Sequence, residues 1–225
     1  MKVLIFDSST LINLIINGLE EILPLLKKES DIRFIVPASV RFETIKRPIQ
    51  TKKYELGALK IKTLFDEGIL ESPSVIGVDE QQLEIESKRI MDDANKILWA
   101  RGQPVHLIER GESSCLALYN MLRDNKRIDK MALAVDERTT RMLVEKPENL
   151  RKLMESKLHT RIDMKTVPEE FQDMVFIRSA EIVYIAYKKN LVNLKNGQVL
   201  DALLYASKFA GCSITIEEIE EMKKL

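Results

Sequence analysis

Two short apolar runs that stop on an acid constrain this chain more than any other feature: Val3 to Phe6 before Asp7, and Met131 to Val135 before Asp136. A run of four or five apolar residues without alternation offers no polar face to water, so it reads as a strand buried on both sides. Ile32 to Val36 has the same character. Strands of this kind belong to parallel sheets whose two faces are covered by helices. Between the first two lies a stretch of helical character, Leu11 to Lys28, which is long enough for a crossover connection. The chain therefore opens as a βαβ unit.

Pro37 stands where a helix can begin without losing a hydrogen bond, and Ala38 to Lys46 reads as helix up to Pro48. Periodic apolar residues predict amphipathic helices over Thr51 to Glu67 and Asp79 to Ala100, and another from Gly111 to about Asp124. Glu137 to Val144 reads as a further helix. Beyond Pro147 the pattern is mostly helical: a long segment from Pro168 to Lys189, another from Gln198 to Ala210, and a last one opened by the capping-box spacing of Thr215 and Glu218. The expectation is a three-layer α/β/α domain with a mainly parallel sheet over residues 1–145. Residues 146–225 then form a helical extension, either folded on the same core or presented to a second copy of the chain.

Composition removes several alternatives. Lys and Arg together number 35 and Asp and Glu number 35, so no global field steers a polyanion toward the protein. Two cysteines, Cys115 and Cys212, are too few for a disulfide framework or a cysteine-rich zinc site, which suits a reducing cytoplasm. No apolar run approaches the roughly 20 residues of a membrane span, and the Met1-Lys2 start is not that of a signal peptide. Glycine-rich nucleotide loops are absent, which argues against ATP or NAD chemistry.

An acid at the carboxyl end of a parallel strand has two readings. Asp, Ser and Thr cap helices, so Asp7-Ser8-Ser9-Thr10 can simply open the helix that follows. The carboxyl ends of parallel strands are also where open α/β sheets bind ligands. Two further acids stand where helices begin near that edge: Glu43, in the helix after the second strand, and Glu112, beside Gly111. Carboxylates gathered there would repel one another unless cations lie among them, and hard divalent ions take oxygen ligands.

The segments FDSSTLINL, VPASVRFE, RGESSCLAL and ALAVDERTTRML, in that order, resemble the PIN-domain family of metal-dependent nucleases. The resemblance covers about residues 1–145. It implies that Asp7, Glu112 and Asp136 hold Mg²⁺ or Mn²⁺, and that Glu43 completes the pocket or orients a bound water. It also implies endonucleolytic hydrolysis of RNA to 5′-phosphate and 3′-hydroxyl products. Ser8, Arg110 and Arg138 are the candidate RNA contacts, with Arg138 the best placed, two residues beyond Asp136. The chain departs from the family at Val135, where Thr or Ser is common. Glu137 can act around the site or favour a helix N-terminus.

Biological settings implied by the resemblance are the toxin of a toxin–antitoxin pair, with an antitoxin-like partner, or an RNA-processing factor; the length favours the second. A non-catalytic nucleic-acid- or protein-binding module is the alternative. Haloacid-dehalogenase-like phosphatases also place an acid after the first strand, but they need a second Asp two positions on, where this chain has Ser9.

Overall fold

The apolar runs become the centre of a five-stranded sheet. The computed structural model describes residues 1–194 and 197–225. Its main sheet contains β1 (Lys2–Phe6), β2 (Ile32–Ile35), β3 (Leu70–Glu71), β6 (Lys130–Ala134) and β8 (Phe176–Ile177), in the order β3-β2-β1-β6-β8. Each pairing is parallel, with Leu4 facing Phe34 on one side and Ala132 on the other. Val3, Leu4, Ile5 and Phe6 are all buried. Each such side chain contributes about 1.5–3 kcal/mol of hydrophobic stabilisation, which explains why this strand takes the central place.

Helices cover both faces, giving a three-layer α/β/α architecture. On one side α1 (Ser8–Ile16) and α2 (Ile22–Glu29) pack with α9 (Ser179–Lys188). On the other, α6 (Arg110–Leu122) lies against β1 and β6, and packs with α3 (Ala38–Arg41) and α5 (Glu80–Ala94). The stretch of helical character from Leu11 to Lys28 forms two helices, because Gly18 takes a left-handed φ of 67°. The Leu19 N–H then closes onto the Leu14 carbonyl and the Gly18 N–H onto that of Ile15, a Schellman ending.

The helix α4 (Lys52–Asp66) follows its sequence pattern. The stretch Asp79 to Ala100 does not stay helical: α5 ends at Ala94, and Leu98–Ala100 becomes β4. That strand pairs antiparallel with β5 (Gln103–Pro104) and with β7 (Ile162–Met164), making a small second sheet. Residues 146–225 are largely helical, with α7 (Arg138–Glu145) leading into α8 (Pro147–Leu158), and later α10 (Val199–Phe209) and α11 (Ile216–Met222). They are also part of the core. Instead of continuous helix from Pro168 to Lys189, the chain inserts β8 at the open edge of β6, with Leu133 opposite Phe176 and Ala134 opposite Ile177. Buried Phe171, Ile182, Val183 and Leu203 join the same apolar cluster as β1. Among the described residues, no helix is long and apolar enough to cross a membrane.

Strand order decides where a site can form. From β1 the chain moves outward through β2 to β3, then returns to the other side of β1 as β6. The reversal leaves a crevice at the carboxyl ends of β1 and β6, where open parallel sheets bind ligands. Asp7 and Asp136 occupy those two strand ends.

Candidate acidic site

Asp7 both caps a helix and stands at the strand end where ligands bind in folds of this kind. It is the N-cap of α1, accepting the Ser9 N–H at 3.1 Å and the Ser9 hydroxyl at 2.5 Å. It also lies fully buried at the switch point, its own N–H donating to the Ala134 carbonyl of β6. Burial raises its pKa against the lowering effect of the Ser9 and Ser8 bonds, and the charge of Glu137 raises it further.

Glu43 comes from the far side of β2. The helix begun at Ala38 widens into a π-helical turn over Phe42–Lys46, a distortion that is frequent at functional sites. The turn brings the Glu43 carboxylate to the first turn of α6. There the Gly111 N–H and the Ser8 hydroxyl donate to it. A Cβ placed on Gly111 would lie 2.6 Å from Glu43 Oε2, so only glycine permits this approach. Burial, and next the charge of Asp7, outweigh those bonds and leave the Glu43 pKa raised.

Glu112 forms a capping box with Glu109, its Oε2 accepting the Glu109 N–H at 3.0 Å. Burial pushes its pKa up to about 7, with the charges of Asp7 and Glu43 adding to the rise. Cys115, on the next turn of α6, registers the same assembly. Its thiol is held well above the ordinary range by burial and then by Asp7, Glu112 and Glu43. Three acids from three remote segments thus converge on the carboxyl end of the central strand.

Asp136 is placed differently. Its backbone stays with Asp7, the Asp136 N–H donating to Ser9 Oγ at 3.1 Å. Its side chain turns to α9: Oδ1 accepts the Ser179 N–H at 2.7 Å and Oδ2 the Ser179 hydroxyl at 2.7 Å. Cys212 bonds to it as well, and burial leaves its pKa raised. The acid from this strand end whose charge reaches Asp7 is its neighbour Glu137, the N-cap of α7, which accepts the Thr140 N–H at 2.7 Å.

Hard carboxylate oxygens are the donor chemistry that Mg²⁺ or Mn²⁺ takes, and here burial first, then neighbouring charge, raises the pKa values of the acids that carry them. Their placement is more open than a finished cage: among the described residues, no three His, Cys, Asp or Glu side chains are positioned to ligate one ion. Asp7, Glu43 and Glu112 would need to close inward, and Asp136 would need to leave Ser179.

Of the candidate RNA contacts, Ser8 lies between Asp7 and Glu43, its hydroxyl 3.5 Å from Asp7 Oδ1. Arg110 is exposed and paired with Glu84 of α5. Arg138 is exposed and lines a cleft beside α7. Sequence reasoning alone does not bring Gly111 or Ser179 into the site. The glycine beside Glu112 is a visible signal, whereas nothing local to Ser179 announces its contact with an acid 43 residues earlier. Set against protein-family models, curated proteins and solved structures, the chain matches none.

Proposed function

We propose that the protein is a Mg²⁺- or Mn²⁺-dependent endoribonuclease of the PIN-domain type. The observation that carries the reading is the meeting of Asp7, Glu43 and Glu112 at the switch point, where burial raises all three pKa values and the charge of Asp7 adds to the rise at Glu43 and Glu112. A fold gains nothing by gathering three carboxylates around a buried strand end, because each charge raises the cost of the next. Sites that bind cations and act on phosphodiesters use that same arrangement. A divalent cation bound here would supply Lewis acidity toward water and phosphate oxygen. The chain's own contribution is to hold the acids: Ser9 fixes Asp7, Ser8 and Gly111 fix Glu43, and the Glu109 N–H fixes Glu112.

The test is cleavage of a labelled single-stranded RNA in Mn²⁺ or in excess EDTA, by wild type and Asp7→Asn. Metal-dependent cleavage that drops at least ~100-fold in the variant is expected. Full activity in chelator, or in Asp7→Asn, would refute it. A second reading, a non-catalytic binding module, is favoured by the open spacing of the acids and by the engagement of Asp136 with Ser179. It predicts no cleavage under any metal.

A further inference from the structure

The balanced charge of the whole chain conceals a local imbalance. Between α7 and α8 on one wall and the α10–α11 region on the other runs a cleft of about 940 Å³. Six cationic side chains line it against two acids, Glu145 and Glu218. Arg178 is consumed by Glu181 and Glu218, and Arg141 makes a 3.3 Å pair with Glu145. The other four cations, Arg138, Lys146, Lys152 and Lys208, form no ion pair among the described residues; Lys208 reaches only the Ile214 carbonyl.

Two buried polar atoms on these walls, Arg141 Nε and Ser213 Oγ, have no hydrogen-bond partner. At the mouth stands Phe209, 81 % exposed and backed by the ring of Tyr205 at 6.1 Å. A large aromatic left open to water among cations suits a base stacking on its face while phosphates pair with the charges.

The cleft adjoins the acidic site. Arg138 follows Glu137 directly, and Cys212 and Arg178 on its walls flank the Asp136–Ser179 contact. We infer that this cleft binds single-stranded RNA: Arg138, Lys146, Lys152 and Lys208 take backbone phosphates, Phe209 stacks a base, and the strand passes toward the acids. The inference rests on the nuclease reading for the purpose of the strand, but binding itself needs no metal.

Fluorescence anisotropy with a labelled single-stranded RNA of about twelve nucleotides, in EDTA, separates the two claims. Wild type should bind with an affinity that falls as salt rises. The double variant Lys146→Glu/Lys152→Glu should weaken binding at least ~10-fold and flatten the slope of log K against log salt by about 0.7 for each phosphate no longer neutralised. Phe209→Ala should weaken it at least ~5-fold, and an RNA duplex of the same length should compete poorly. No binding by wild type, or binding untouched by both variants, overturns the inference. So does equal competition by polyglutamate, which would assign the cleft to an acidic protein. If the cleft variants lose binding while the wild type cleaves nothing in Mn²⁺, the cleft stands and the nuclease reading falls.

Discussion

The acidic cluster should make the metal-free protein less stable than its fold allows, and Glu112→Gln measures by how much. Burial and the charges of Asp7 and Glu43 move the Glu112 pKa from an ordinary 4.5 to about 7. Because the folded state holds this proton more tightly than the unfolded chain, stability falls as pH rises between those values. Below the lower value both states are protonated and the penalty vanishes; above pH 7 it is complete. Each pKa unit corresponds to about 1.4 kcal/mol, so at pH 8 the ionised carboxylate costs the fold about 3 kcal/mol. Glutamine retains an oxygen to accept the Glu109 N–H, so the capping bond survives and the charge alone is lost. For a chain of this size 1 kcal/mol moves the melting temperature by about 2–4 °C. Glu112→Gln should therefore melt about 6–12 °C above wild type at pH 8 in EDTA. At pH 5 the stability difference should shrink below about 1 kcal/mol. Differential scanning fluorimetry across pH 5–8 gives the comparison. A variant no more stable than wild type at pH 8, or a difference that does not change with pH, would refute the electrostatic account. Mn²⁺ should narrow the gap by stabilising wild type selectively.

Gly111→Ala places a methyl group 2.6 Å from Glu43 Oε2, the movable end of a side chain, so the carboxylate is displaced before the backbone is. Urea unfolding should change by no more than about 1 kcal/mol, while metal-dependent cleavage falls at least ~10-fold; intact cleavage would remove Glu43 from the site. Ser179→Ala leaves Asp136 Oδ2 without its hydroxyl donor in a buried setting. It should lower stability by about 1–3 kcal/mol, and an unchanged urea midpoint would count against Asp136 as an anchor of α9.

What could be read from the sequence was local and periodic. Val3 to Phe6 and Met131 to Val135 are apolar without interruption, rich in β-branched or branched residues and too short for a typical helix, which favours doubly covered strands; the structure places them side by side as β1 and β6. The helix beginning near Gly111 and the last helix opened by Thr215 likewise follow from spacing and capping chemistry. Val175-Phe176-Ile177 was different. A short apolar run suits a strand or a buried helix equally, and here the open edge of β6, some forty residues earlier in the chain, decides for strand. Leu98-Trp99-Ala100 left its helix for a similar reason, since its partner, Ile162–Met164, lies far along the chain. The convergence of Asp7, Glu43 and Glu112 was legible because each stands at the start of an element, and topology carries such positions to one edge. The π-helical turn that aims Glu43 was not, because nothing in Phe42-Glu43-Thr44-Ile45-Lys46 forbids ordinary helix.

Side-chain direction is the part that sequence position cannot give, and Asp136 shows why it matters. Its strand end is where the sequence places it, and its backbone joins Asp7 through Ser9. Its carboxylate, however, meets the N-terminal turn of α9, where the free N–H and hydroxyl of Ser179 and the helix dipole all favour an anion. Arg178, the residue before, ties the same turn to α11 through Glu218 and the Ser213 carbonyl. Residues 146–225 are thereby fastened to the switch point by an acid whose strand-end position suggests a metal ligand or a cap for the helix that follows it, not a contact with α9. Loss of activity in an Asp136 variant would report first on the attachment of α9. Asp7 and Glu112, by contrast, interact through their charges at the strand end, so variants of these two report more directly on the proposed acidic site.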